Sequence, residues 1–215
     1  MGIHLSKEER RSQLLSAALV AFGKKGYHET QVSDIIAQAR VARGTFYLYF
    51  ESKRDVFDAV VRQVFEKVQG EIRAIPKEAI DEIPKQILGN LKRVTELLFE
   101  HPLYIKLLSS DAVGLDSEFD DRLREFYGKI LDYIRRGLKQ GQEMGFVREG
   151  DIEVLALCLL GCVKEVFYQS ILGTQKTSPD ALIREIYILV LNSVIHPRLR
   201  PQAENILGAL EAELP

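Results

Sequence analysis

The chain has 215 residues, of which 46% are hydrophobic, 28% charged and 8% aromatic, and its 29 Lys and Arg against 31 Asp and Glu leave a formal net charge of −2. That is ordinary globular composition, enough for one large domain or two small ones. The 7 Pro and 15 Gly are too few and too scattered for a collagen-like or low-complexity chain, and no block of like charge marks a disordered tail.

Helical punctuation is frequent and strand signals are nearly absent. The capping pattern Ser6-x-x-Glu9 opens a helix over 6–24, on which Leu15, Ala18, Leu19 and Phe22 recur at i, i+3, i+4 and i+7. Gly26 sits where that helix can end. Thr30 reads as the N-cap of a helix over 31–38 with Val32, Ile35, Ile36 and Ala39 on one face; a turn at Arg40 and Val41 leads into a helix of barely two turns over 42–48. Ser52-x-x-Asp55 opens a helix over 52–74, Pro84 suits the first turn of one over 80–100, and a short helix follows over 103–110. Ser117-x-x-Asp120 opens 117–143, before Gly145. Asp151 caps 151–172, which stops at Gly173, and Ser178 followed by Pro179 opens 178–195. A last short helix is predicted near 201–213. The expected fold class is all-α, without an internal repeat.

The longest apolar run, Val154 to Val163, falls short of the ~20 residues of a membrane-spanning helix, so it reads as a buried helix. The first thirty residues carry charge where a signal peptide needs an apolar core, and the expected location is the cytoplasm. Cys158 and Cys162, four apart in the apolar run, are too close along one helix for a relaxed disulfide and have no His or Cys neighbour for zinc; they read as small core residues.

Residues 1–54 hold nine basic and five acidic groups, and the remainder holds 20 basic and 26 acidic. A basic N-terminal module of net +4 on a body of net −6 suits a chain whose one end meets a polyanion. Two short helices joined by a tight turn, as over 31–48, form a helix-turn-helix whose second helix enters the DNA major groove.

The run Gly26-Tyr27-His28-Glu29-Thr30, then Ile35-Ile36-Ala37-Gln38-Ala39-Arg40-Val41-Ala42-Arg43-Gly44-Thr45-Phe46-Tyr47-Leu48-Tyr49-Phe50, then Lys53 and Phe57, resembles the DNA-binding domain of the TetR family of bacterial transcriptional regulators. The likeness covers about residues 10–60. It implies a DNA-binding domain over 1–54 and a ligand-binding, dimerising helical bundle over 55–215. Under the resemblance Thr30 gives its hydroxyl to a phosphate, while Arg43, Gly44 and Thr45 face base edges, Arg43 donating twice to guanine and the Thr45 methyl meeting thymine. Tyr47 and Lys53 hold phosphates. Phe46, Tyr49 and Phe50 belong to packing, and Lys24, Lys25 and Arg54 to solvated helix ends. Arg40 stands where the family usually has Gly and so bears strain if its φ is positive. Ala42 stands where the family commonly has a capping Ser, and Arg40 can hold the phosphate that such a Ser would hold.

In the body, the helices near 151–172 and 178–195 are apolar around more than one face, which suits a four-helix bundle with the same pair from a second copy. Leu91, Thr95, Leu98, Phe99, Tyr104, Leu108, Phe126, Tyr127, Ile130, Cys162, Glu165 and Tyr168 are the candidates for a ligand site, a mixture suited to an apolar or aromatic molecule. The shorter expected set is Thr95, Phe99, Tyr104, Phe126, Tyr127, Cys162, Glu165 and Tyr168. The expected function is a ligand-responsive repressor that binds a palindromic DNA operator as a homodimer, with no cofactor and no metal. A catalytic bundle lacks residues to stand on: no Glu-x-x-His, His-Glu-x-x-His, Gly-x-Ser-x-Gly or phosphate-binding loop occurs. A helical adaptor that binds only protein is the other reading, and it leaves the basic N-terminal unit unexplained.

Overall fold

A computed structural model of the chain describes residues 5–73, 82–108, 117–174 and 177–201, with 204, 205 and 208 beyond them. Nine α-helices lie among the described residues: α1 (Lys7–Glu29), α2 (Val32–Ala39), α3 (Arg43–Tyr47), α4 (Lys53–Gly70), α5 (Ile83–Glu100), α6 (Pro102–Leu108), α7 (Ser117–Glu143), α8 (Ile152–Leu172) and α9 (Pro179–Ser193). A 3-10 turn at Pro197–Leu199 follows. The helix expected near 201–213 falls largely outside the described residues.

The helix starts follow the capping chemistry. Ser6 Oγ accepts from the Glu9 N–H at 3.1 Å while the Glu9 carboxylate takes the Ser6 N–H at 2.7 Å. Asp151 accepts from the Glu153 and Val154 amides, and Ser178 from that of Ala181. At α4 the box is altered: the Asp55 amide donates to Ser52 Oγ, but the Asp55 carboxylate takes the N–H of Glu51. Helix α1 is broken at Gly26, whose φ of 78° is open to a residue without Cβ, and one more turn carries the chain to Glu29.

The described residues divide into two units, one from 1–67 with 101–126 and the other from 68–100 with 127–215. The first is built on Leu14, Ala18, Phe22, Ile35, Phe46, Phe50, Val56, Phe57 and Val60, all nearly free of solvent. Phe57 meets Phe22 edge-on at 5.2 Å and Tyr27 at 4.7 Å, which fastens α4 to α1. On the other side α6 lies against α1 so closely that a Cβ at Gly23 would stand 2.7 Å from Leu103 Cδ2. Burying a side chain such as Phe46 stabilises the unit by about 2–3 kcal/mol.

The second unit packs α5, α8, α9 and the later turns of α7 around Ile83, Leu88, Leu138, Phe146, Leu155, Ile183, Tyr187 and Leu191. Tyr187 is fully buried and donates its hydroxyl to the Pro84 carbonyl at 3.1 Å; burial pushes its pKa up to about 12. After Gly145, at φ 74°, the chain forms an isolated antiparallel bridge between Val147 and Ile195, in which Arg148 N–H donates to Val194 and His196 N–H to Phe146. The apolar run from Val154 to Val163 predicts a buried α8, but Val154 and Leu157 are each 55% exposed and Val166 is exposed as well. Cys158 and Cys162 are exposed too, not core residues, because they share that uncovered face. Helix α8, 21 residues long, is also long and apolar enough to cross a membrane by length and composition, a test the run to Val163 alone does not meet.

Candidate DNA interface and effector-binding unit

Helix α2 ends at Arg40, which takes φ 53° and ψ 47° and is the one non-glycine with positive φ among the described residues. Its amide donates to Ala37 and that of Val41 to Ile36, while Gln13 Nε2 donates to the Ala39 carbonyl from α1. These bonds hold the turn despite a left-handed cost of order 1–2 kcal/mol. Ala42 supplies no side-chain cap to α3, as the missing Ser implies.

The short helix that follows has two faces. Phe46 and, just beyond, Phe50 point into the core with no more than 2% exposure, as expected of them. Arg40, Ala42, Arg43, Gly44, Tyr47 and Leu48 are exposed, with Thr45 half-buried. Arg43 lies over the Tyr47 ring at 5.8 Å, so the guanidinium and the phenol stand side by side. A Cβ at Gly44 would meet nothing within 4 Å, so nothing in the chain itself calls for glycine there. A recess of about 250 Å³ joins Arg43 to Gln31, Val32, Ser33 and Ile36. Gln31 and Ser33, exposed in the first turn of α2, were not singled out by sequence; their legible signal was polar side chains at a helix N-terminus. Leu48, 79% exposed on the same edge, was also missed.

Two expected phosphate contacts need correction. Thr30 is fully buried, and its hydroxyl donates to the carbonyls of Gly26 at 2.6 Å and Ala21 at 3.2 Å, so it closes the end of α1 and does not face outward. Gln31 takes the N-cap position of α2, its amide donating to Asp34 at 2.9 Å. Lys53 is half-buried with Nζ donating to the Tyr27 and His28 carbonyls at 2.9 and 3.2 Å and lying 4.5 Å from the Tyr27 ring centre. Its charge therefore caps the last turn of α1, a use that spacing along the sequence could not show. Lys25 is paired with Asp34 at 2.7 Å, Arg54 with Asp58 at 3.9 Å, and Lys24 is exposed.

The expected ligand residues do not gather in one unit. Tyr104 and Phe126 are buried in the first, where Phe126 meets Phe65 edge-on at 5.9 Å. Thr95, Phe99, Tyr127, Cys162, Glu165 and Tyr168 belong to the second. There Thr95 is fully buried, and its hydroxyl has no hydrogen-bond partner among the described residues. Tyr127 is half-buried under Lys164, and its phenol is pushed up to about 12 by burial. Glu165 is exposed and accepts from Gln169, and Cys162 is exposed beside it on α8. Among the described residues no cluster of three or more His, Cys, Asp or Glu could hold a metal. The second unit also contains a cavity of about 620 Å³, and none of these eight residues lines it.

Residues 14–60, which contain α2, the Arg40 turn and α3, match the family model of the bacterial regulatory proteins of the tetR family. The chain is 27% identical over 193 residues to the fatty acid metabolism regulator protein of Bacillus subtilis, covering 87% of this chain and 97% of that one. Its fold is similar to that of a TetR-family regulator from Syntrophomonas wolfei, with a TM-score of 0.71 at 21% identity over 86% of this chain and 94% of that one. It is also similar to the regulator FadR from Bacillus subtilis in complex with stearoyl-CoA, with a TM-score of 0.67 at 23% identity over 83% and 96% of the two chains. The likeness in the N-terminal residues and the all-helical fold agree, and the chain belongs to the TetR family of DNA-binding transcriptional regulators.

Proposed function

We propose that the protein is a ligand-responsive repressor that holds a palindromic operator as a homodimer and releases it when a small apolar or aromatic effector binds. The observation that carries the reading is the outer edge of α3, where Arg43, Gly44 and Tyr47 stand exposed above a buried Phe46. Glycine inside a five-residue helix costs about 1 kcal/mol against alanine, and close approach of DNA to Gly44 is the use that offsets it. Arg43 donates to a guanine edge, Thr45 and Leu48 offer apolar contact to thymine methyls, and Arg40, Tyr47, Gln31 and Ser33 take phosphates. Such a regulator works where the DNA is, in the cytoplasm of a bacterial cell.

A second copy covers the exposed apolar face of α8 and Leu189 of α9. Two-fold pairing sets two recognition helices ~34–36 Å apart, one turn of DNA. The stearoyl-CoA carried by one structural neighbour, and the fatty acid role in the name of one relative, support an effector with a long apolar part. Helix α4 runs unbroken from Lys53 to Gly70 and so belongs to both parts of the chain, which makes it the element through which an effector can change the spacing of the recognition helices. An effector that prefers the mismatched spacing lowers operator affinity by that preference, typically about 1–3 kcal/mol, and the operator weakens the effector by the same factor.

The test is binding to random and selected duplexes across a salt series. The reading requires affinity that falls steeply with salt and a selected palindrome bound more tightly than random DNA. Salt-independent or absent DNA binding would favour the helical adaptor instead.

A further inference from the structure

The cavity of about 620 Å³ lies wholly within the second unit. Its floor is the hydrophobic core, with Leu138, Phe146, Val147, Val194 and Ile195 nearly free of solvent and Leu159 and Val190 packed against them. Its rim is polar and one-signed: the described lining includes Arg73 and Arg136 and no Asp or Glu.

Arg73 is placed there by a set of hydrogen bonds. Asn90 of α5 accepts from the Arg73 amide and donates to its carbonyl, both at 3.0 Å, and Arg93 donates to the same Asn90 oxygen and to the Glu71 carbonyl. The backbone of Arg73 is therefore fixed on α5, though it lies beyond the end of α4. Neither the Arg73 nor the Arg136 guanidinium has a carboxylate partner among the described residues, whereas Arg135, one position away, is bound to both Asp132 and Glu153. Arg136 also stands near enough to the Tyr133 phenol to oppose the rise that burial gives its pKa. Two unpaired cations on the rim of an apolar cavity of this size are the complement of an anion on an apolar tail.

We infer that this cavity binds a molecule made of an apolar tail and a compact anionic head, a carboxylate or a phosphate, with the tail on Leu138, Phe146 and Val190 and the head between Arg73 and Arg136. The site is separate from the residues that sequence suggested for the effector. It rests on the proposed function only for its regulatory consequence, since binding is read without DNA.

Calorimetry on the full chain with dodecanoate, dodecyl phosphate and dodecanol, each below its aggregation concentration, tests it. Either or both anions bind at least about tenfold tighter than the alcohol, the stronger identifying the head, and hexanoate binds more weakly than dodecanoate because it buries less apolar surface. Arg73→Gln and Arg136→Gln each remove most of the preference for the anion, while Arg135→Gln leaves it intact; thermal melts show that the variants stay folded. Equal affinity for anion and alcohol, equal loss in all three variants, or no binding of any probe would overturn the inference. Operator binding by the same samples separates the two readings: anion binding without DNA binding refutes the repressor and leaves the site standing.

Discussion

Arg40 serves the fold poorly and, in the proposed function, serves the DNA partner. At φ 53° the left-handed turn is strained for any residue with a Cβ, and its exposed guanidinium is the group that DNA would use. Arg40→Gly should therefore stabilise the protein by about 0.5–1 kcal/mol, the relieved strain less the extra freedom of glycine in the unfolded chain. It should also weaken DNA binding on all sequences alike. Thermal melts and a salt titration read the two effects separately, and loss of stability would show that the side chain supports the turn. Lys53→Ala has a different sign: it removes the donor to the Tyr27 and His28 carbonyls, so the melting temperature should fall together with DNA affinity. An unchanged melt with a reduced salt slope would return Lys53 to a pure phosphate contact.

At the scale of elements, the start of α2 carries a pH signature. The Lys25 ammonium and then the Gln31 amide hold the Asp34 carboxyl below its ordinary 3.8. A folded pKa below the unfolded one contributes stability that is complete above the unfolded value and is lost as pH falls through the folded value. Asp34→Asn should thus lower the melt at pH 6 and have little effect near pH 2; an equal effect at both would deny the carboxylate its role. The helix starts at Ser6, Asp151 and Ser178 and the turn before α3 were legible because their determinants lie within four residues of one another. Thr30 was misread because its hydroxyl follows the break at Gly26, which turns the chain back onto the Ala21 carbonyl. The exposure of Cys158 and Cys162 was hidden for another reason: a helix apolar on all sides reads as core whether its cover comes from its own chain or from a second one. The cavity draws its lining from α5, α7, α8, α9, the end of α4 and the segments beyond α4, α7 and α9, and such long-range grouping leaves no local pattern.

For the whole molecule the proposed function requires that two copies read one operator. Leu157 is 55% exposed on α8, so Leu157→Arg should leave each chain folded while placing two like charges in the face proposed to pair. Sedimentation should then show monomers, and operator binding should fall toward that of a single half-site because the two halves are no longer gripped together. A variant that remains dimeric would move the interface elsewhere. The central claim, that the outer edge of α3 reads sequence in a duplex, is tested most directly by selecting duplexes from a random pool with the native chain and with Arg43→Ala. The account predicts a palindrome from the native chain and, from the variant, the same palindrome with one relaxed base pair in each half, at a cost of about 1–3 kcal/mol per site. No enriched sequence from the native chain, or an Arg43→Ala pool with every position unchanged, would contradict it.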